Sequence, residues 1–530
     1  METMNGNFGN KSNGFGLFRQ FIQSPARSSL LLFFLLSLFV GAFLSTRFLD
    51  SSPILITSET VGDKPVSRSK LDILLKDTDS ISNIIPTPRK PRAKIEFPLK
   101  CSDSNVTQTC PTNYPEKADV DPKAQPPSTC PDYFRWIHED LRPWREVGIT
   151  RETLEMAKRT AEFKLVILNG KAYVEILKKS DNTRGVITRW GILQLLRRYP
   201  GRVPDLELMF DTVDLPVISK HYPWPNATAP PLFRYCGDAN TFNIVFPDWT
   251  FWGWAEINIK PWNLISKEIK EGNKMIKYSD RGPYAYWKGN PFVAPHRMDL
   301  LKCNVSDEHD WGARIFIQDW IKEGKEGFKQ SNLAKQCNDR YKIYIEGTAW
   351  SVSEKYILAC DSLSLRVKPK YYNFFARSMM PTQHYWPIRV DNKCPSIKFA
   401  VEWGNSHTQK AQEIGKAASD FILEDVKMDY VYDYMLHLLT EYAKLLKFKP
   451  TIPKNAVDLC SETMACNAVD RQKQFMMESL VKSPSDELPC IMPSPYDRVG
   501  LLRGLRRKDN AEKQVQNWEK SYWNNQTRQQ

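Results

Sequence analysis

The chain has 530 residues with 74 Lys and Arg against 61 Asp and Glu, a formal net charge of +13, and 11 cysteines. An odd cysteine count excludes complete pairing of thiols within one chain, and the absence of any C-x-x-C pair speaks against a structural zinc site. A basic balance of this kind suits nucleic acid, sugar-nucleotide diphosphates or acidic polysaccharides, with a solvated basic surface as the plain alternative.

The compartment narrows that choice. Residues 1–27 carry Lys11, Arg19 and Arg27 against Glu2 and lead into "SSLLLFFLLSLFVGAFLST", 28–46, nineteen residues without a charge. That length spans a bilayer, and the run is longer than the apolar core of a cleaved signal peptide. A retained anchor with a cytosolic tail at 1–27 is expected, because basic residues flank the side that stays in the cytosol. The rest of the chain is then lumenal, and nucleic acid drops out as a partner. Sequons at Asn105, Asn226, Asn304 and Asn525 fit that address. The terminus "NNQTRQQ" carries no KDEL-type retrieval signal, so a single-pass type II Golgi membrane protein is expected, with the endoplasmic reticulum as the other candidate. In an oxidising lumen most of the cysteines should be paired.

Residues 47–128 are rich in Ser, Asp, Lys and Pro and read as a stem. Folded sequence follows in three stretches, 129–262, 263–450 and a C-terminal extension 451–530. In the first, "FKLVILNGKAYVEIL" is two apolar runs around Asn169-Gly170, a hairpin signal. A helix is predicted from about Thr188, ending at Pro200-Gly201, then the strand "LELMF". In the second, "PYAYWKG", "ARIFIQDW", "YKIYIEG" and "SLSLRV" read as strands, with "PHRMDLLKC" and "SVSEKYILAC" as helices between them. Alternation in both stretches predicts an α/β fold with two open sheets and ligands at the C-terminal ends of strands.

Asp211 and Asp214 follow the strand "LELMF" at that place. They are either turn formers or a catalytic base with its neighbour; their D-x-x-D spacing does not suit a metal-nucleotide site. Two loops run from a strand into a helix start, where backbone N–H groups favour an anion. One contains Gly289, Asn290 and Arg297, the other Gly347 and the small residues after it. The stretch "FPDWTFWGWAEINIKPW" holds Trp249, Trp252, Trp254 and Trp262, which either pack in the core or stack on sugar rings.

The ordered set "DLELMFDTVDLP", "FPDWTFWGW", "YWKGNPFVAPHRMDLL", "YKIYIEGTAWSVSEKYILACDSL" and "GKAASDFILEDVKMDYVYDYMLHLLTEYAKLL" resembles glycosyltransferase family 90, over roughly residues 130–450. The family includes Rumi-type protein O-glucosyltransferases and fungal capsule xylosyltransferases, and the anchored form looks like its plant branch. The resemblance implies a GT-B type fold of two Rossmann-like domains facing a cleft. The first, 129–262, would carry the acceptor side and the base, and the second, 263–450, the nucleotide sugar. It implies inversion at the anomeric carbon, UDP-glucose or UDP-xylose as donor, a polysaccharide or glycoprotein acceptor, no cofactor and no essential metal. The family's catalytic Asp falls on Asp214 and its diphosphate-binding Arg on Arg297, with Asn290 at a Ser position. Its nucleotide loop falls on Ala349, Trp350, Ser351, Val352 and Ser353, and Gly347, Thr348, Trp249 and Trp252 are further candidate substrate contacts read from the residues themselves. Cys337 and Cys360 match a bonded pair of the family. Val213 and Leu215 stand where the family has Arg and Tyr, and Ser353 replaces the loop's last Arg. A catalytically inactive glycan-binding or scaffold protein is therefore the rival reading; an esterase or acetyltransferase lacks a G-x-S-x-G elbow.

The expected topology is testable. Protease added to sealed microsomes should leave residues 47–530 intact, and digestion of that part would overturn it.

Overall fold

The computed structural model describes residues 97–99, 101, 110, 127–180 and 182–529. The expected anchor 28–46, most of the expected stem and the sequon at Asn105 lie outside the described residues. Among the described residues no helix is long and apolar enough to cross a membrane.

The first apolar runs become β1 (Phe163–Leu168) and β2 (Lys171–Ile176), antiparallel with Leu168 opposite Lys171. Between them Asn169 at φ 51° and Gly170 at φ 74° supply the left-handed pair that a two-residue hairpin turn demands. The helix Arg184–Arg198 starts a turn earlier than expected from Thr188. Its first turn contains Gly185, where any side chain would collide with the Glu162 carboxylate. Then come β3 (Leu206–Phe210), β4 (Phe233–Arg234), β5 (Gly237–Asp238) and β6 (Ile244–Val245).

The second stretch supplies β7 (Gly282–Gly289), β8 (Ala313–Ile317), β9 (Asp339–Tyr344), β10 (Leu363–Val367), β11 (Tyr371–Tyr372) and β12 (Trp386–Ile388). A last strand, β13 (Val457–Leu459), follows much later. Two main sheets result, ordered β13-β2-β1-β3-β4-β6 and β12-β10-β9-β7-β8, with β5 and β11 pairing between the stretches. The fold is mixed α/β, as expected. The second sheet is parallel throughout, with the helices Pro295–Leu300 and Ser353–Leu358 in the predicted crossovers.

The first sheet departs from the Rossmann-like expectation. Only β3, β4 and β6 run parallel, while β13/β2, β2/β1 and β1/β3 are antiparallel. A two-residue turn cannot supply the crossover that parallel neighbours need, so the hairpin dictates the direction.

The chain after residue 420 returns to both cores. The helix Met428–Ala443 packs on the first sheet, with Tyr442 edge-on to Phe233 at 5.0 Å and its hydroxyl donating to Glu207 O at 3.0 Å. Disulfides Cys101–Cys466, Cys110–Cys460 and Cys130–Cys490 tie the 451–490 segment to residues near the end of the expected stem. The long helix Arg498–Gln529 buries Val515 in the second core, beside Ile397 and Ala400. Cys303–Cys394 and the expected Cys337–Cys360 complete five disulfides, and Cys236 is left free and buried. Of the sequons, Asn226 lies on the 3-10 turn Pro225–Ala227 and Asn525 is exposed on the last helix. Asn304 accepts from Ile315 N through Oδ1 at 2.9 Å.

At the end of β3 the two aspartates part ways. Asp211 is buried in an ion pair with Arg234, and its Oδ1 also accepts from Val213 N at 3.4 Å. Arg234 Nη1 donates to Val213 O at 3.1 Å, so one buried guanidinium holds both ends of the Asp211–Val213 turn. Removing one partner of such a pair leaves an uncompensated buried charge. Asp211→Asn should lower stability by about 3–5 kcal/mol in urea unfolding, with Asp214→Asn near wild type; equal losses would contradict this division.

Candidate active site

A cleft of about 390 Å³ opens where the first sheet's strand ends meet those of the second. Asp214 enters it from the loop after β3, with its side chain one-third exposed at 33%. Arg184 Nη1 is ion-paired with its Oδ1. The Arg184 guanidinium is in turn stacked over Trp249 at 4.5 Å and within 5.8 Å of Trp254. Behind the loop, the Cys236 thiol donates to Asp214 O at 3.1 Å. Burial pushes that thiol well above its usual range, so it stays protonated and able to donate.

The opposite wall is built by the second sheet. Arg297, in the helix after β7, donates from Nε to Glu346 O at 2.8 Å, from Nη2 to Ile345 O and Ser351 Oγ at 3.1 Å each, and from Nη1 to Asn290 O at 3.2 Å. It thereby joins the two loops singled out in the sequence. All these acceptors are neutral, and among the described residues no carboxylate forms an ion pair with Arg297. Burial lowers its pKa, yet a guanidinium keeps its charge across any ordinary pH, so a positive charge faces the cleft without a counter-ion. Glu346, whose charge acts on Arg297 at a distance, is occupied by the N–H groups of Lys370 and Tyr371, and burial pushes it up to about 7.

Among the described residues, four cations and one carboxylate line the cleft: Arg184, Lys288, Arg297 and Lys342 against Asp214. Lys342 is buried on β9, donates to Gln336 O at 2.6 Å, and is drawn down to about 7 by desolvation. Such a charge balance favours an anionic ligand. Arg297 and Lys342 line the same wall of the cleft.

Of the loop expected to contact nucleotide, Gly347, Thr348, Trp350, Ser351, Val352 and Ser353 line the cleft. Ala349 does not; it is fully buried in the core, where its small side chain lets the loop turn inward. Asn290 lines the cleft, with Oδ1 capping Phe292 N at 2.9 Å. Trp249 lines it too, on a 3-10 turn rather than a strand. Trp252 is corrected to a core residue: its ring lies against Gly191, and its Nε1 donates to Tyr432 OH at 3.0 Å. Trp254, of the same aromatic run, also lines the cleft, and Arg184, Lys288 and Lys342 join it without a signal in the sequence. Arg184 sits in a first helical turn, where a solvated arginine looks the same, and the two lysines lie in ordinary strands.

These residues can be compared with known proteins. The family model "Glycosyl transferase family 90" matches residues 125–519, which extends the resemblance well past residue 450. Protein O-glucosyltransferase 1 of Bos taurus is 26% identical over 348 residues, covering 62% of this chain and 84% of that protein. O-glucosyltransferase rumi of Drosophila melanogaster is 23% identical over 353 residues, covering 63% and 83%. The rumi homolog of Aedes aegypti is 23% identical over 337 residues, covering 61% and 80%. Each carries a transfer activity in its name, and the inactive-scaffold reading finds no support among them. The chain belongs to glycosyl transferase family 90 and is a glycosyltransferase.

Proposed function

We propose that this glycosyltransferase moves glucose or xylose from a UDP-sugar to a hydroxyl of a glycan or glycoprotein, with inversion, across a GT-B type cleft in the Golgi lumen. The observation that carries the reading is the pairing of one carboxylate, Asp214, with the unneutralised Arg297 across a single cleft. The relatives' names favour glucose. The exposed Val213 and Leu215 beside Asp214 change the acceptor side, so the relatives' acceptor is not carried over.

Asp214 accepts the proton of the acceptor hydroxyl as its oxygen attacks the anomeric carbon from the face opposite the phosphate. The new C–O bond forms as the sugar–phosphate bond breaks, and the electron pair leaves with UDP. Arg297, with Ser351 and Ser353 beside it, offers charge-assisted bonds to the departing diphosphate. Because its present partners are neutral, taking up an anion breaks no ion pair. Arg184 and Trp249 orient the base. No metal enters this scheme, and the lumenal type II anchor at 28–46 remains part of the reading.

Release of UDP from UDP-glucose, UDP-xylose and UDP-galactose by the full chain, with cell-wall oligosaccharides or folded EGF repeats as acceptors, tests the reading directly. General-base catalysis contributes about 10²- to 10⁴-fold, so Asp214→Asn should lose that factor in kcat while still binding UDP. Near wild-type turnover would remove Asp214 from the base role. Arg297→Ala should weaken UDP binding or turnover about ten- to a hundredfold, the worth of one charged hydrogen bond. Unchanged UDP affinity and turnover would separate Arg297 from the diphosphate.

A further inference from the structure

Beside the transfer cleft lies a second depression of about 410 Å³. Tyr286, Lys288 and Gln336 line both, so the two are continuous. Its floor is one face of the second sheet. Tyr286 and Lys288 of β7 lie beside Lys342 of β9 and Phe316 of β8 respectively in the ladder. The rings of Tyr286 and Phe316 are 5.4 Å apart and tilted by 35°. Phe316 and its neighbour Ile317 are half exposed, at 49% and 52%. An aromatic pair left open on a sheet face is a platform for the C–H face of a sugar ring.

The rim has charge of one sign. Lys288, Lys329 and Lys335 line the depression, and no Asp or Glu does. Elsewhere on the same half, lysines find carboxylates: Lys274 with Glu271, Lys302 with Asp299, Lys393 with Asp299. Among the described residues, no ion pair engages the three rim lysines; Lys288 donates to a carbonyl instead, Gln330 O at 2.6 Å. Three lysines around one depression without a carboxylate make it a favourable place for an anion. The groups assigned to the donor's diphosphate, Arg297 and the loop 347–353, are not part of this depression.

We propose that the depression is an acceptor subsite for an acidic sugar, with the ring on Tyr286 and Phe316 and the carboxylate among Lys288, Lys329 and Lys335. The inference rests on the transferase reading above and deepens it: the acceptor class is a uronic-acid-containing glycan, and a neutral hydroxyl of that glycan reaches Asp214 through the shared edge at Tyr286 and Lys288. Charge-assisted bonds from Lys give such a carboxylate its preference over a neutral sugar of the same shape.

Calorimetric titration of the full chain, loaded with UDP, with trigalacturonate and with neutral galactotriose tests this. Wild type should bind trigalacturonate about tenfold or more tightly than galactotriose at low salt, with the advantage shrinking as salt rises. Both rim lysines at 329 and 335 are exposed, so Lys329→Gln with Lys335→Gln should fold normally, abolish most of that advantage and leave UDP affinity unchanged. Equal wild-type affinities for the two trisaccharides, or an advantage that survives in the double variant, would overturn the subsite. A parallel loss of UDP affinity would also overturn it, by assigning the lysines to the donor. Because the readout is binding, a wild type that prefers trigalacturonate yet releases no UDP from any UDP-sugar would sink the proposed donor and leave the anion subsite standing.

Discussion

The transfer cleft depends on a charge pair that does not touch it. Asp211 and Arg234 are buried together under the end of β3, and Arg234 also binds the carbonyl of Val213. Desolvating two charges nearly cancels their attraction, so a pair of this kind adds little net stability. Its effect is geometric. It fixes the first turn after the strand, so that Asp214 projects outward while Asp211 cannot. Cys236 then holds the carbonyl of Asp214 from behind, and Arg184 its carboxylate from the side. The base role proposed for Asp214 calls for this restraint, since small displacements of a reacting group lower rate sharply.

The same logic governs the spacing of the two walls. Lys355, in the helix after the nucleotide loop, is buried against Asp248 and Thr250 of the aromatic turn that carries Trp249. Burial lowers its pKa, and Asp248 opposes that effect. Arg377 makes a two-pronged contact with Asp140 at 2.6 and 2.7 Å, and β5 pairs with β11. Each of these contacts joins the first stretch to the second. With the late helix packed on the first sheet, they hold together the two walls that carry Asp214 and Arg297, which no single segment could do.

Much of the local structure was legible because its determinants are local. Asn169-Gly170 tolerates positive φ, so the hairpin follows from two residues. The strands β7 to β10 and the helices between them follow from apolar runs broken by Gly, Pro and Ser. The disulfide Cys337–Cys360 and the role of Asp214 came from family resemblance, not from spacing. What could not be read was which way a side chain faces once two distant segments meet. Trp249 and Trp252 are three residues apart in one aromatic run, yet one lines the cleft and the other packs on Gly191. Gly191 is the deciding partner, and nothing near the tryptophans announces it.

Taken alone, the amino-acid order determined the hairpin, the main strands and helices of the second stretch, the α/β class and the candidate pair of aspartates, since these rest on periodicity, turn chemistry and short motifs. Tertiary structure decided the mixed direction of the first sheet, the return of residues 451–519 to both cores, the burial of Asp211 against the partial exposure of Asp214, and the charge of the cleft. Those outcomes depend on burial and on partners tens to hundreds of residues away, such as Arg234 for Asp211 and Cys460 for Cys110. A charged side chain has the same local sequence whether it ends in solvent, in a buried pair or facing a substrate; only the packing around it distinguishes the three.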